Sequence, residues 1–158
     1  MTVSDQSRRL AVVAALAADE KLGHNIIALD VSDVMGITEV FVVASAESER
    51  QVSSIVEEIE DKLTEAGAEP IRREGNRENR WVLLDYGSLV VHIQREAERE
   101  FYGLDRLYRD CAAIEIEGIE TPERPGDWTA DDVDVRKVDS IDQIPLASAA
   151  PGDEDEED

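Results

Sequence analysis

The chain has a single cysteine, Cys111, which excludes an intramolecular disulfide and any multi-cysteine metal site. Its only imidazoles are His24 and His92, too far apart for the paired-histidine metal pattern of a helix. No apolar run is long enough to cross a bilayer. Neither a signal peptide nor an Arg-rich transit segment is recognisable, so no membrane contact and a cytoplasmic location are expected. Aromatic residues are only 4% of the chain. Basic side chains are also scarce: 16 Lys+Arg stand against 38 Asp+Glu, a formal net charge of −22. That balance argues against direct nucleic-acid contact, where Lys and Arg on phosphates supply most of the affinity. It fits a basic protein partner, including one embedded in a nucleic-acid assembly.

What is present is enough for one core. With 158 residues, 42% of them hydrophobic, the chain is expected to form one domain with a tail. The expected boundary falls at 118/119. Residues 119–158 carry 14 acidic and 3 basic side chains, so a quarter of the chain holds half of the net charge. They also hold all but one of the five prolines, Pro122, Pro125, Pro145 and Pro151, and end in Gly-Asp-Glu-Asp-Glu-Glu-Asp. This is disordered, solvating composition. A docking role for Trp128 and the valines after it is the sharper reading of the same stretch.

Within residues 1–118 the patterning predicts α-β-β-α-β-β-β-α. A helix begins around Ser4–Ser7 and runs to about Lys21, with Leu10, Val13, Ala14 and Ala17 on one stripe and Leu16 beside it. Asn25–Val31 and Glu39–Ala44 read as buried strands. Val52, Ile55, Val56, Ile59, Leu63 and Ala66 follow a helical repeat, opened by a Ser48/Gln51 capping box and stopped at Gly67. A short strand at Ile71–Glu74, a polar turn at Gly75–Asn79 and a hairpin from Trp81 to Gln94 follow. A last helix over Phe101–Ala112 is expected to bury Phe101, Leu104, Leu107, Tyr108 and Cys111. The order implies a mixed sheet with helices packed on it, an α/β (α+β) fold. The strand–helix–strand unit from 39 to 74 reads as a right-handed crossover if its strands are parallel.

The hairpin WVLLDYGSLVVHIQ is the most informative segment. A two-residue loop at Gly87-Ser88 sets Tyr86 opposite Leu89. One face is then Val82, Leu84, Tyr86, Leu89, Val91 and Ile93, and the other Trp81, Leu83, Asp85, Val90, His92 and Gln94. A three-residue loop scatters polar groups over both faces, so the buried face selects the first register. The mixed face requires either a covering layer or a partner.

A catalytic constellation is not legible. His24 reads as a capping or surface group at a helix–strand junction, and His92 as a hydrogen-bonded core histidine or an interface donor. Asp131-x-Asp and its neighbours fall in the tail, without a strand to hold a metal pair. Gly87-Ser88 lacks the glycine run and lysine of a phosphate loop, and no Ser, Cys or Thr has a recognisable base. In REAEREFYGLDRLYR the charges read as a solvated face with intrahelical pairs. Tyr102 and Arg99 are its candidate surface contacts, of the residue types that dominate interface energetics.

The chain resembles the ribosomal silencing factor, or Iojap-related, family. The matching blocks are Ile27-Ala-Leu-Asp-Val31, Ile37-Thr-Glu-Val-Phe-Val-Val-Ala-Ser45, Ser48-Glu-Arg-Gln-Val52, Trp81-Val-Leu-Leu-Asp-Tyr-Gly87, Val90-Val-His-Ile93 and Arg99-Glu-Phe-Tyr102. The resemblance implies a nucleotidyltransferase-like α/β fold without that enzyme's chemistry. Such enzymes place an Asp-x-Asp metal pair after a Gly-Ser turn, and here Gly87-Ser88 leads into Leu89-Val-Val-His. It further implies binding to protein 14 of the large ribosomal subunit, a block of subunit joining under nutrient limitation, no cofactor, and a homodimer as a second state. Of the family's conserved surface, Trp81, Asp85, Tyr86, Gly87 and His92 match position for position. Ser88 departs from the family's acidic residue and Tyr108 from its tryptophan. The partner-binding set expected on this basis is Trp81, Asp85, Tyr86, His92, Arg99 and Tyr102. The competing classes are a metal-dependent nucleotidyl transfer enzyme and an acidic adaptor acting through the tail.

Overall fold

A computed structural model describes residues 3–75, 80–104 and 108–122. Helix α1 (Asp5–Glu20) is followed by β1 (His24–Asp30), β2 (Val40–Ala46), α2 (Glu49–Glu65), β3 (Arg72–Gly75), β4 (Trp81–Asp85), β5 (Leu89–Arg95), α3 (Glu96–Tyr102) and β6 (Ala113–Ile114). The strands form one six-stranded mixed sheet in the order β3-β4-β5-β2-β1-β6. Only β2 and β5 are parallel neighbours; the other pairs are antiparallel. Through β5 and β4, β3 runs in the same direction as β2, so the condition for a crossover over 39–74 is met, with two strands lying between its ends in the sheet.

Local chemistry explains the elements. Ser4 caps α1 by accepting from Ser7 N at 3.1 Å. Ala11, Ala14, Ala15 and Ala18 are fully buried, which lets α1 lie close to its neighbours. Ser48 caps α2 by accepting from Gln51 N at 3.1 Å. The Gln51 amide departs slightly from a capping box: its Oε1 accepts from Glu47 N, and its Nε2 donates to Leu22 O at 2.9 Å. That bond ties the start of α2 to the end of α1. β1 begins irregularly, with Asn25 at φ 49° and a register shift between His24 and Ile27.

The sheet is buried on both faces. α1 and α2 cover one, where Leu10, Val42, Ala44, Val52, Ile55, Ile59, Val82, Leu84, Val91 and Ile93 form the larger core. The second core holds Ile27, Leu29, Val31, Met35, Phe41, Val43, Trp81, Leu83, Val90, Leu104, Tyr108 and Cys111. This explains why β2 is buried at every position: a strand covered on both sides reads as a continuous apolar run.

The last expected helix is the main correction. α3 starts earlier, at Glu96, and ends at Tyr102, because Gly103 takes the left-handed conformation (φ 63°, ψ 47°) that terminates a helix. Leu104 is helical again, and Tyr108 N donates to Leu104 O at 3.0 Å, so the expected helix is interrupted at Gly103. Phe101 is consequently 57% exposed and not core, while Leu104, Tyr108 and Cys111 are buried as expected. Leu107 and residues 123–158, including Trp128, lie outside the described residues. Strand β6, which pairs with β1 at Ala28↔Ile114 and Leu29↔Ala113, is too short to have left a sequence signal.

Candidate functional site

The hairpin adopts the expected register. Tyr86 N donates to Leu89 O at 2.8 Å, and the ladder runs from Asp85↔Val90 to Trp81↔Gln94. Gly87 sits at φ +87°, and Ser88 has no positive φ, the pattern of a hairpin turn with glycine at its first central position. Val82, Leu84, Leu89, Val91 and Ile93 fall on the α1/α2 face, with Tyr86 packed at its border.

The other face is covered by the chain itself. Trp81 and His92 have no exposed surface, and Tyr108, also at 0%, belongs with Leu104 to the same core as Trp81. Phe41 bridges the layers, its ring edge-on to His92 (centroids 4.7 Å) and to Tyr108 (5.1 Å). Trp81 Nε1 donates to His92 Nδ1 at 3.2 Å. An accepting Nδ1 places the imidazole proton on Nε2. Burial lowers the His92 pKa to about 3, so the ring is neutral. Tyr108 donates from Oη to Met35 Sδ at 3.6 Å, and burial raises its pKa. Trp81 and His92, expected in the partner-binding set, are thus enclosed in the isolated chain, the covering-layer alternative for this face. In the free chain both are buried, and Leu104, Tyr108 and Cys111 share the core that holds Trp81.

Three polar atoms on this face have no hydrogen-bond partner: His92 Nε2 and both side-chain atoms of the fully buried Gln94. Native interiors rarely leave such groups unpaired.

Asp85 and Arg99 also have structural work. Asp85 Oδ1 accepts from Gly87 N at 2.8 Å, closing the turn, and Oδ2 accepts from Arg72 Nε at 3.1 Å. Arg99 is 8% exposed, and its Nη1 donates to His24 O at 3.3 Å and to Ser45 Oγ at 3.2 Å. It fastens α3 to the first two strands, so the expected surface contact is overturned. The Tyr102 side chain lies outside the described residues. His24, expected as a capping or surface group, pairs through Nδ1 with Glu96 and so joins the start of β1 to the first turn of α3.

Tyr86 stays half-buried at the hairpin's tip. Its hydroxyl has no hydrogen-bond partner, and its pKa is pushed up to about 12, by burial first and then by the carboxylates of Glu60 and Glu69. Around the tip lie two side chains that sequence reasoning missed, Ile37 (81% exposed) and Ile71 (69% exposed). The available signal was an isoleucine inside a polar loop in one case, and one between proline and a charged strand in the other.

Together these features define an α/β protein whose sheet is buried on both faces. The chain matches the family described as "Ribosomal silencing factor during starvation" over residues 4–140. It is 34% identical to the Ribosomal silencing factor RsfS of Halalkalibacterium halodurans, over 72% of this chain and 97% of that protein. With the Bacillus subtilis protein of the same name it shares 35% identity, over 66% and 89%. A crystal structure of a Chromobacterium violaceum protein superposes with a TM-score of 0.63 at 29% identity, covering 77% of this chain and 93% of that one. One from Bacillus halodurans gives 0.58 at 33%, covering 72% and 100%. The chain belongs to the ribosomal silencing factor family, a family of ribosome-associated translational regulators.

Proposed function

We propose that this protein represses translation by binding the large ribosomal subunit at its protein 14 and sterically blocking its union with the small subunit. Repression would operate in the cytoplasm, when nutrients are limiting. The observation that carries this reading is family membership along the whole folded region, from α1 through β6. Two physical features support it. The net charge of −22 favours encounter with a basic ribosomal protein over bare RNA. And the strand after Gly87-Ser88 carries Leu89, Val90, Val91 and His92, with no carboxylate where phosphoryl-transfer metals would be held, so occlusion requires no chemistry at the turn.

The test is sedimentation of the full-length chain with purified large and small subunits. The chain is expected to travel with large subunits alone, and to lower the yield of joined ribosomes when added before mixing. Absence from the large-subunit fraction refutes the proposal. So does binding that leaves joining unchanged.

A further inference from the structure

The sealing of both sheet faces leaves the tip of the β4–β5 hairpin as the part of the matched Trp81–Ile93 region that reaches solvent. Three segments meet there. Thr38 Oγ1 donates to Gly87 O at 3.2 Å, and Glu39 N donates to Ser88 O at 2.8 Å, which fixes the 37–39 loop against the turn. On the other side Ile71 N donates to Asp85 O at 2.6 Å, and the Ile71 Cδ1 lies 3.3 Å from where a Gly87 Cβ would stand. Ile71 thus lies against the glycine and Ile37 precedes the threonine bonded to it, each with most of its surface in water. They are two of the three most exposed large hydrophobic residues among those described; the other, Leu22, lies at the opposite end of β1.

The rim is acidic. Glu39 borders Ser88, and Glu60 and Glu69 both act on the Tyr86 phenol, so they face the same corner. Asp85 and Glu74 share Arg72, and Glu60 also meets Arg73 at 3.4 Å. Carboxylates therefore outnumber arginines near the patch: Glu60, Glu74 and Asp85 pair with Arg72 and Arg73, Glu39 Oε1 accepts from Ser4 N at 2.8 Å, and Glu69 adds a further negative charge.

We propose that this tip, with Ile37 and Ile71 as apolar anchors around Gly87-Ser88, is the surface that docks a basic protein partner. This rests on the reading of the chain as a ribosome-binding repressor, and it gives that reading a contact surface in place of the buried Trp81 and His92. The partner's matching surface has an aliphatic centre ringed by Lys and Arg. A second copy of this chain is disfavoured, because a self-complementary contact would press the two acidic rims together. Nucleic acid is disfavoured by the same carboxylates.

The experiment compares full-length wild type, the double variant Ile37→Arg/Ile71→Arg and the control Leu22→Arg in large-subunit sedimentation, with thermal unfolding and sedimentation velocity on each. Because both isoleucines are exposed, the double variant is expected to keep its melting temperature yet bind at least tenfold more weakly, while Leu22→Arg binds as wild type. Wild-type binding by the double variant overturns the docking surface alone. Loss of a dimer in that variant with subunit binding intact also overturns it, and assigns the patch to self-association. If wild type itself fails to bind large subunits, it is the repressor reading that falls.

Discussion

Replacing Trp81 by alanine separates a contact residue from a structural one. Trp81 is fully buried in the second core, with Phe41, Leu83, Leu104 and Tyr108. Truncating a buried tryptophan costs about 3–5 kcal/mol through lost transfer energy and the cavity left behind. The change also removes the Nε1 donor from His92 Nδ1, leaving a buried acceptor unpaired at a further cost of roughly 1–3 kcal/mol. Domains of this size are stable by about 5–15 kcal/mol in total. Trp81→Ala should therefore lose half or more of its stability, and any loss of ribosome binding should follow from that loss. Urea unfolding followed by far-UV circular dichroism measures it directly. A variant within about 1 kcal/mol of wild type that no longer bound large subunits would refute this reasoning and restore Trp81 as a contact.

Two further substitutions probe the same interior. Gln94→Met removes two unpaired buried amide atoms while roughly keeping volume, and is expected to stabilise the domain by about 1–3 kcal/mol. A lower denaturation midpoint for this variant would show that the amide has a partner. His92 titrates near 3 in the folded chain and near its ordinary 6.5 when unfolded. The unfolded chain therefore binds more protons between those values, so this group's contribution is intact above pH 6.5 and declines as pH falls towards 3. Between pH 6.5 and 5, above most carboxylate titration, the loss should approach about 1.4 kcal/mol per unit. His92→Phe should flatten it, and an unchanged slope in that variant would assign the acid sensitivity to other groups.

Much of the fold was legible because its strongest signals are local. The repeat Val52–Leu63, the Ser48 cap and the period-two hairpin around Gly87-Ser88 each declare an element with its neighbours' help only in packing. Strand order was not legible, since no local feature tells β5 to pair in parallel with β2. The end of α3 was misread because Phe101 and Leu104 have helical spacing, whereas Gly103 between them decides the backbone. The covering of the hairpin's mixed face was not legible for a related reason. Trp81, His92 and Gln94 look amphipathic in sequence, and nothing local reveals that Trp81 shares a core with Leu104 and Tyr108. Ile37 and Ile71 were missed because they are single apolar residues, and the turn that brings them together is contributed by a third segment.

This geometry changes what the acidic composition can do. Both cores use up the sheet's faces, and edge strand β3 carries Arg72, Arg73 and Glu74, charges that discourage another strand from pairing. Recognition then falls to the hairpin tip and the helix exteriors, where carboxylates outnumber arginines. A surface of that kind gains encounter rate and discrimination from charge, and holding strength from the few apolar side chains it exposes. Salt should therefore weaken association mainly by slowing it. Loss of Ile37 and Ile71 should act mainly by hastening release. Ile37 and Ile71, whose fellow aliphatic side chains among the described residues are mostly enclosed, are the side chains best placed to supply that second part.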